Sequence, residues 1–160
     1  MDKAEEMYRK SLDISEALGL KQVSANQYSG LGLVYWTRGD LDKAEEMHHK
    51  ALELNEALGS KEGMAQNYGN LGLVYDTLGD LDKAEEMHRK ALELDQALGS
   101  KQGMAEDYLN LAGVYQTRGD LDKAEEFWKQ SLSLFQAMGH PHAKIVQQNL
   151  DKLAQKRSSQ

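Results

Sequence analysis

The nine residues "GDLDKAEEM" stand at 39–47 and again at 79–87, return as "GDLDKAEEF" at 119–127, and occur clipped as "MDKAEEM" at 1–7. Each copy begins forty residues after the one before, and the likeness fills the whole period: 39–78 and 79–118 differ at eleven positions. Some differences only exchange an amide and its acid, as with Asn55 and Asp95 or Glu56 and Gln96. A chain written this way does not gather unlike parts around one core. Its units stack on their neighbours as a quasi-one-dimensional array. Such an array presents a long surface of similar groups, whereas an active site needs one constellation of unlike ones.

Within a period the apolar residues fall at helical spacing twice. Tyr68, Leu71, Tyr75 and Leu78 lie three or four apart, which predicts a first helix over 64–78, closed by Gly79 as a left-handed cap. Asp82 followed by Glu85 has the spacing of a capping box, so the second helix is expected to open there. It carries Ala84, Met87, Ala91, Leu94 and Leu98 on its inner stripe. Glu85 with Arg89 and Glu86 with Lys90 are i, i+4 pairs on a face read as solvated. The fold class is therefore all-α, an α-solenoid of antiparallel helix pairs. One array is expected over 1–160: a half repeat at 1–20 whose only helix is 2–18, repeats at 21–60, 61–100 and 101–139, a capping helix in 140–157, and a tail at 158–160. The capping helix aligns Ala143, Val146, Leu150 and Leu153.

Composition removes several function classes. No apolar run approaches the roughly eighteen residues of a membrane span, and "MDKAEEMYRK" lacks the apolar stretch of a signal peptide, so a cytoplasmic protein is expected. The net charge of −7 opposes attraction to phosphate backbones and anionic lipid. Neither nucleic acid nor membrane is an expected partner. There is no cysteine, and His48 and His88 stand a full period apart without a zinc-binding helix motif. They are expected to be half-buried packing residues, with no metal and no cofactor. "GLGLVY" is part of a dinucleotide fingerprint but falls inside a helix. No nucleophile elbow is present, and no buried carboxylate pair stands out from the repeating glutamates. The chain is not expected to be an enzyme.

Small residues mark where helices meet: Ala44, Ala84 and Ala124 in the second helices, Gly32, Gly72 and Ala112 in the first. Tyr28, Leu31, Gly32 and Tyr35 followed by Ala44, repeated as Tyr68, Leu71, Gly72, Tyr75 and Ala84, resemble the tetratricopeptide repeat signature. Tyr108, Leu111, Ala112, Tyr115 and Ala124 give a third copy with alanine for glycine. The family unit is about 34 residues long and ends near a proline; here Glu56, Gln96 and Gln136 hold that place, so the second helix runs on. Arrays with such long repeats are similar to those of kinesin light chain and the LGN/Pins family, which are cargo and scaffold adaptors.

The resemblance implies a superhelix whose first helices line a concave groove for a peptide. Carried onto this sequence, the groove face comprises Asn26, Ser29, Leu33 and Trp36; then Gln66, Asn70, Leu73 and Asp76; then Glu106, Leu109, Asn110 and Gln116. None is basic, so a clamp for a terminal carboxylate is not expected. Asn70 and Asn110 would grip a peptide backbone, and Leu33 and Leu73 would either touch the peptide or pack between helices. The function so implied is a non-catalytic interaction module with an adaptor or scaffold role. A peptide-sensing regulatory module of a larger signalling protein, or a self-assembling, consensus-like repeat unit, stays open beside it. The N-terminal half repeat shows Ala4, Tyr8, Leu12 and Leu18 on a side with no covering helix, which predicts weak self-association.

Overall fold

The structure is a computed structural model that describes residues 3–158. Among these, eight α-helices follow one another: α1 Lys3–Ala17, α2 Lys21–Arg38, α3 Leu41–Leu58, α4 Lys61–Leu78, α5 Leu81–Leu98, α6 Lys101–Arg118, α7 Leu121–Ala137 and α8 His142–Ser158. The chain divides after Asp80 into two units, α1–α4 and α5–α8. Within each, every helix packs antiparallel on the next. Asp2 of the expected first helix and Ser159 and Gln160 of the expected tail lie outside the described residues, while Ser158 is helical.

The turns explain the regularity. Every link contains a glycine with φ between 64° and 82°, from Gly19 to Gly139, a conformation other residues adopt only at a cost. At Gly39 the glycine N–H donates to Trp36 O and the next N–H, of Asp40, donates to Tyr35 O, satisfying two otherwise orphaned carbonyls. The aspartate that follows takes the N-cap position of the next helix. α3 and α7 begin at Leu41 and Leu121, so their N-caps are Asp40 and Asp120; Asp82, expected to open the second helix, lies in the first turn of α5. The Lys123 N–H donates to Asp120 at 3.2 Å, whereas Asp40 accepts from the Lys43 ammonium at 2.6 Å. α4 and α6 also start earlier than expected. The hydroxyls of Ser60 and Ser100 accept from the Gly63 and Gly103 N–H groups at 3.3 and 3.1 Å, adding a turn before Met64 and Met104.

Unit 1 is centred on Leu12, Leu31, Tyr35, Ala44 and Val74. Unit 2 is centred on Ala105, Ala112, Tyr115, Ala124, Trp128, Phe135, Val146 and Leu153. His48 and His88 are 1% and 0% exposed, fully buried rather than half-buried. The His48 ring lies on Gly32, where a Cβ would come within 2.5 Å of the imidazole, so the small residue there makes room for the ring. Burial, reinforced by His49, lowers the His48 pKa from 6.5 to about 4, because the charged form loses its water.

The outer glutamates are not all solvated. The first of each pair turns toward the following helix. Glu5, 8% exposed, accepts from Arg38 at 2.6 Å, Tyr35 at 2.7 Å and Arg9 at 3.0 Å, and these partners, Arg38 first, hold its pKa down at about 2. In unit 2 Glu85 accepts from Tyr115, Arg118 and Arg89. Desolvation opposes its ionisation, yet the three donors together hold it at about 2. The second glutamates keep the expected form, Glu46 to Lys50 at 2.6 Å and Glu86 to Lys90 at 2.7 Å.

The exposed stripe of α1 also differs from expectation. Leu12 is buried and Tyr8 half-buried, its ring lying on α2 at Gly30. Met7 and Ile14 face outward in α1, at 66% and 61% exposure, and Leu18 just beyond it is as open as Met7.

Candidate functional site

In unit 1 the expected peptide face comprises parts of α2 and α4. The Trp36 indole N–H donates to the Thr77 hydroxyl at 3.1 Å, which donates to Leu73 O at 2.8 Å. This chain ties the last turns of α2 and α4 and fixes the indole plane. Leu33 is 40% exposed, so it is not spent between helices, whereas Leu73 is half-buried. Asn26 and Gln66 are exposed, Asp76 half-buried, and Asn26 accepts from Gln22 at 3.3 Å. Ser29 is drawn inward: its hydroxyl accepts from Asn67 at 2.7 Å, and Asn67 accepts from Asn55 at 2.8 Å. Asn70 is half-buried, and its Nδ2 finds no hydrogen-bond partner among the described residues. A buried amide donor without an acceptor carries a desolvation cost of about 1–3 kcal/mol. An incoming carbonyl would relieve it.

In unit 2 the face belongs to α6 and α8. Leu109 and Asn110 are half-buried, as is Glu106, which accepts from Gln102 at 3.0 Å. Gln116 is exposed and stands at the wall of a cavity of about 360 Å³, whose apolar side is Leu121, Trp128 and Leu153 and whose polar side includes Asn149, Lys152 and Lys156. The basic side chains come from the helix read only as a cap. The absence of lysine and arginine therefore holds for the named residues of α2, α4 and α6 but not for α8. A signal was present in the letters: Asn149-Leu150 repeats Asn110-Leu111 at a spacing of thirty-nine, one short of the period. Arg157 likewise repeats Arg118, bonding Glu125 and Asp122 as Arg118 bonds Glu85 and Asp82. α8 thus repeats part of the first-helix pattern, and Lys152 and Lys156, one turn apart, share a face.

A carboxylate pair with one buried member does stand out, contrary to the reading of the sequence. Asp107 on α6 is 5% exposed, and half-buried Asp95 on α5 acts on it directly. Burial first raises the pKa of both, and for Asp107 the charge of Asp95 adds to it. Among the described residues no three side chains converge as metal ligands, and no helix is long and apolar enough to cross a membrane.

Antiparallel helix pairs written at a fixed period define a helical repeat protein, with its side-chain variety on the first-helix faces. The chain belongs to the tetratricopeptide repeat family: models described as Tetratricopeptide repeat match residues 23–97 and 108–138. Domains of this family are typically protein–protein interaction modules. Among solved structures the chain is similar to BtubC (BKLC) from P. vanneervenii, a kinesin light chain-like tetratricopeptide repeat protein, at 31% identity and a TM-score of 0.78 over 88% of this chain. It spans 59% of the length of BtubC. The fold is shared with the TPR domain of Arabidopsis FLU, at 22% identity and a TM-score of 0.69 over 73% of this chain and 98% of that one. The N-terminal domain of STI-1 from C. elegans has the same fold, at 22% identity and 0.64 over 80% and 95%. No curated protein matches the sequence.

Proposed function

We propose that the chain is a non-catalytic adaptor module that holds a peptide segment of a protein partner on its first-helix faces. The observation that carries this reading is the cavity beside Gln116. It has an apolar wall of Leu121, Trp128 and Leu153 and a rim of Asn149, Lys152 and Lys156, the combination of apolar surface and few convergent polar groups that a ligand site needs. An acidic side chain of the peptide fits the two ammonium groups. In unit 1 Leu33 and the ring of Trp36 supply apolar contact, and Asn70 offers its unpaired Nδ2 to a peptide carbonyl.

A peptide selected from a displayed library on the wild-type chain provides the probe, and calorimetry the readout. Asn70→Ala with Asn110→Ala is expected to weaken binding by about 1–3 kcal/mol with helical content unchanged. Lys152→Ala with Lys156→Ala is expected to weaken it further and to flatten its salt dependence. Affinity unchanged in both double variants refutes the assignment of these faces.

A second reading is favoured by α1 alone. Met7, Ile14 and Leu18 form an outward apolar stripe, and two copies can bury it against each other about a two-fold axis. Light scattering over a wide concentration range tests it. Association that survives Met7→Glu with Ile14→Glu excludes this surface.

A further inference from the structure

The two units differ by a matched pair of exchanges in a buried polar layer. In unit 1 the Asn55 amide donates to Asn67 at 2.8 Å, and Asn67 donates onward to Ser29 at 2.7 Å. In unit 2 the corresponding positions are Asp95 and Asp107. Two amides bond because each carries a donor and an acceptor, whereas two ionised carboxylates carry acceptors only. Asp95 and Asp107 take the places of that bonded pair and act on each other, and two carboxyls so placed can bond only with one proton between them.

The groups that act on the pair include no cation. The Asp95 carboxylate lies against the backbone of Gly103, where a Cβ would fall 2.1 Å from its Oδ2. Ser100 bonds Asp95 as well, while its oxygen accepts the Gly103 N–H. Asp107 Oδ2 has no hydrogen-bond partner among the described residues. The further charge acting on the pair is Glu106 of α6, also negative. From α7 comes neutral Ser131, whose hydroxyl donates to Ala105 O at 2.7 Å.

We propose that Asp95 and Asp107 form a proton-operated latch: one shared proton holds the α5–α6 turn closed, as the amide pair holds the α3–α4 turn, and its loss forces the two helices apart there. The amide pair has no such dependence, so the two units respond differently to alkali. Asp107 is pushed up from 3.8 to about 8. Because the folded value lies above the unfolded one, the contribution is fully present below about pH 3.8. It declines as pH rises and is gone above about 8. Within that window each pH unit changes the unfolding equilibrium of unit 2 by up to about tenfold.

The test is a side-chain carboxyl carbon NMR titration of the full chain, with urea unfolding followed from pH 6 to 9. One carboxyl of the pair is expected to keep its proton beyond pH 7. Above pH 8, amide exchange corrected for its intrinsic rate is expected to accelerate over 100–107 and not over 60–67. Asp95→Asn with Asp107→Asn, which writes the unit 1 pair into unit 2, is expected to abolish the alkaline loss. Should that variant unfold, the wild-type titration still decides. Both carboxyls ionising below pH 5, or an equal alkaline loss in wild type and double variant, overturns the latch.

Discussion

Between pH 6.5 and 4.5, acid should act on unit 1 through His48. His48 is buried on Gly32, and neither ring nitrogen finds a hydrogen-bond partner among the described residues, so a proton on the ring would be an unpaired buried charge. Its pKa falls from 6.5 to about 4. A lowered folded value means that the unfolded chain takes up the proton first. The stabilisation is therefore fully present above pH 6.5 and is lost as pH falls toward 4. At about 1.4 kcal/mol per pH unit, that window removes roughly 3 kcal/mol, a large share of the stability of a small domain. His48→Phe keeps a flat ring over Gly32 and discards both unpaired nitrogens. It is expected to match or exceed the wild type at pH 7 and to lose far less between pH 6.5 and 4. Urea unfolding monitored by circular dichroism, with Trp36 fluorescence as the unit 1 probe in a Trp128→Tyr background, gives the two pH profiles. Parallel profiles for wild type and variant would refute the argument, because the acid loss would then come from other groups.

Ala44, with no exposed surface in the unit 1 core, cannot accept a longer polar side chain; Ala44→Glu is expected to cost about 3 kcal/mol or more, read as a lower thermal midpoint. Glu45 accepts from Tyr75 at 2.6 Å but has Leu78 where Glu5 has Arg38, and Leu78 is 46% exposed. Leu78→Arg should therefore complete the network and add about 0.5–1 kcal/mol, visible as a higher urea midpoint. Glu85 is held at about 2 against desolvation by Tyr115, Arg118 and Arg89, so its stabilisation is present above pH 4.5 and lost as pH falls through 2. Arg118→Ala is expected to move that loss toward pH 4 in acid titration by circular dichroism.

The helices were legible because a forty-residue period leaves few choices: two apolar stripes, one glycine after each, and an aspartate or serine to start again. The inward or outward direction of individual polar residues was not legible in the same way. Glu5 and Glu6 are written alike, but neighbours on a helix point about 100° apart, so one meets Tyr35 and Arg38 while the other meets Lys10. The signal lay thirty-three residues away, in Arg38 and Arg118, which read as ordinary surface charges until the following helix is laid beside the glutamate. The exchange of Asn55 for Asp95 was visible as a letter, but its chemistry depends on burial beside Asp107, and burial follows from how two helices cross.

The basic side of the unit 2 face escaped for a related reason. α8 repeats Asn110, Leu111 and Arg118 one residue early, so alignment at forty hides Asn149 behind Asn110's neighbour and leaves Lys152 and Lys156 looking like solvated ends. Those two lysines now stand beside Gln116, while the named face of unit 1 carries no basic residue. The two units each hold four helices and are unlike in the charges their faces offer. An acidic segment of a partner is therefore expected to engage the α6–α8 face and an apolar one the α2–α4 face.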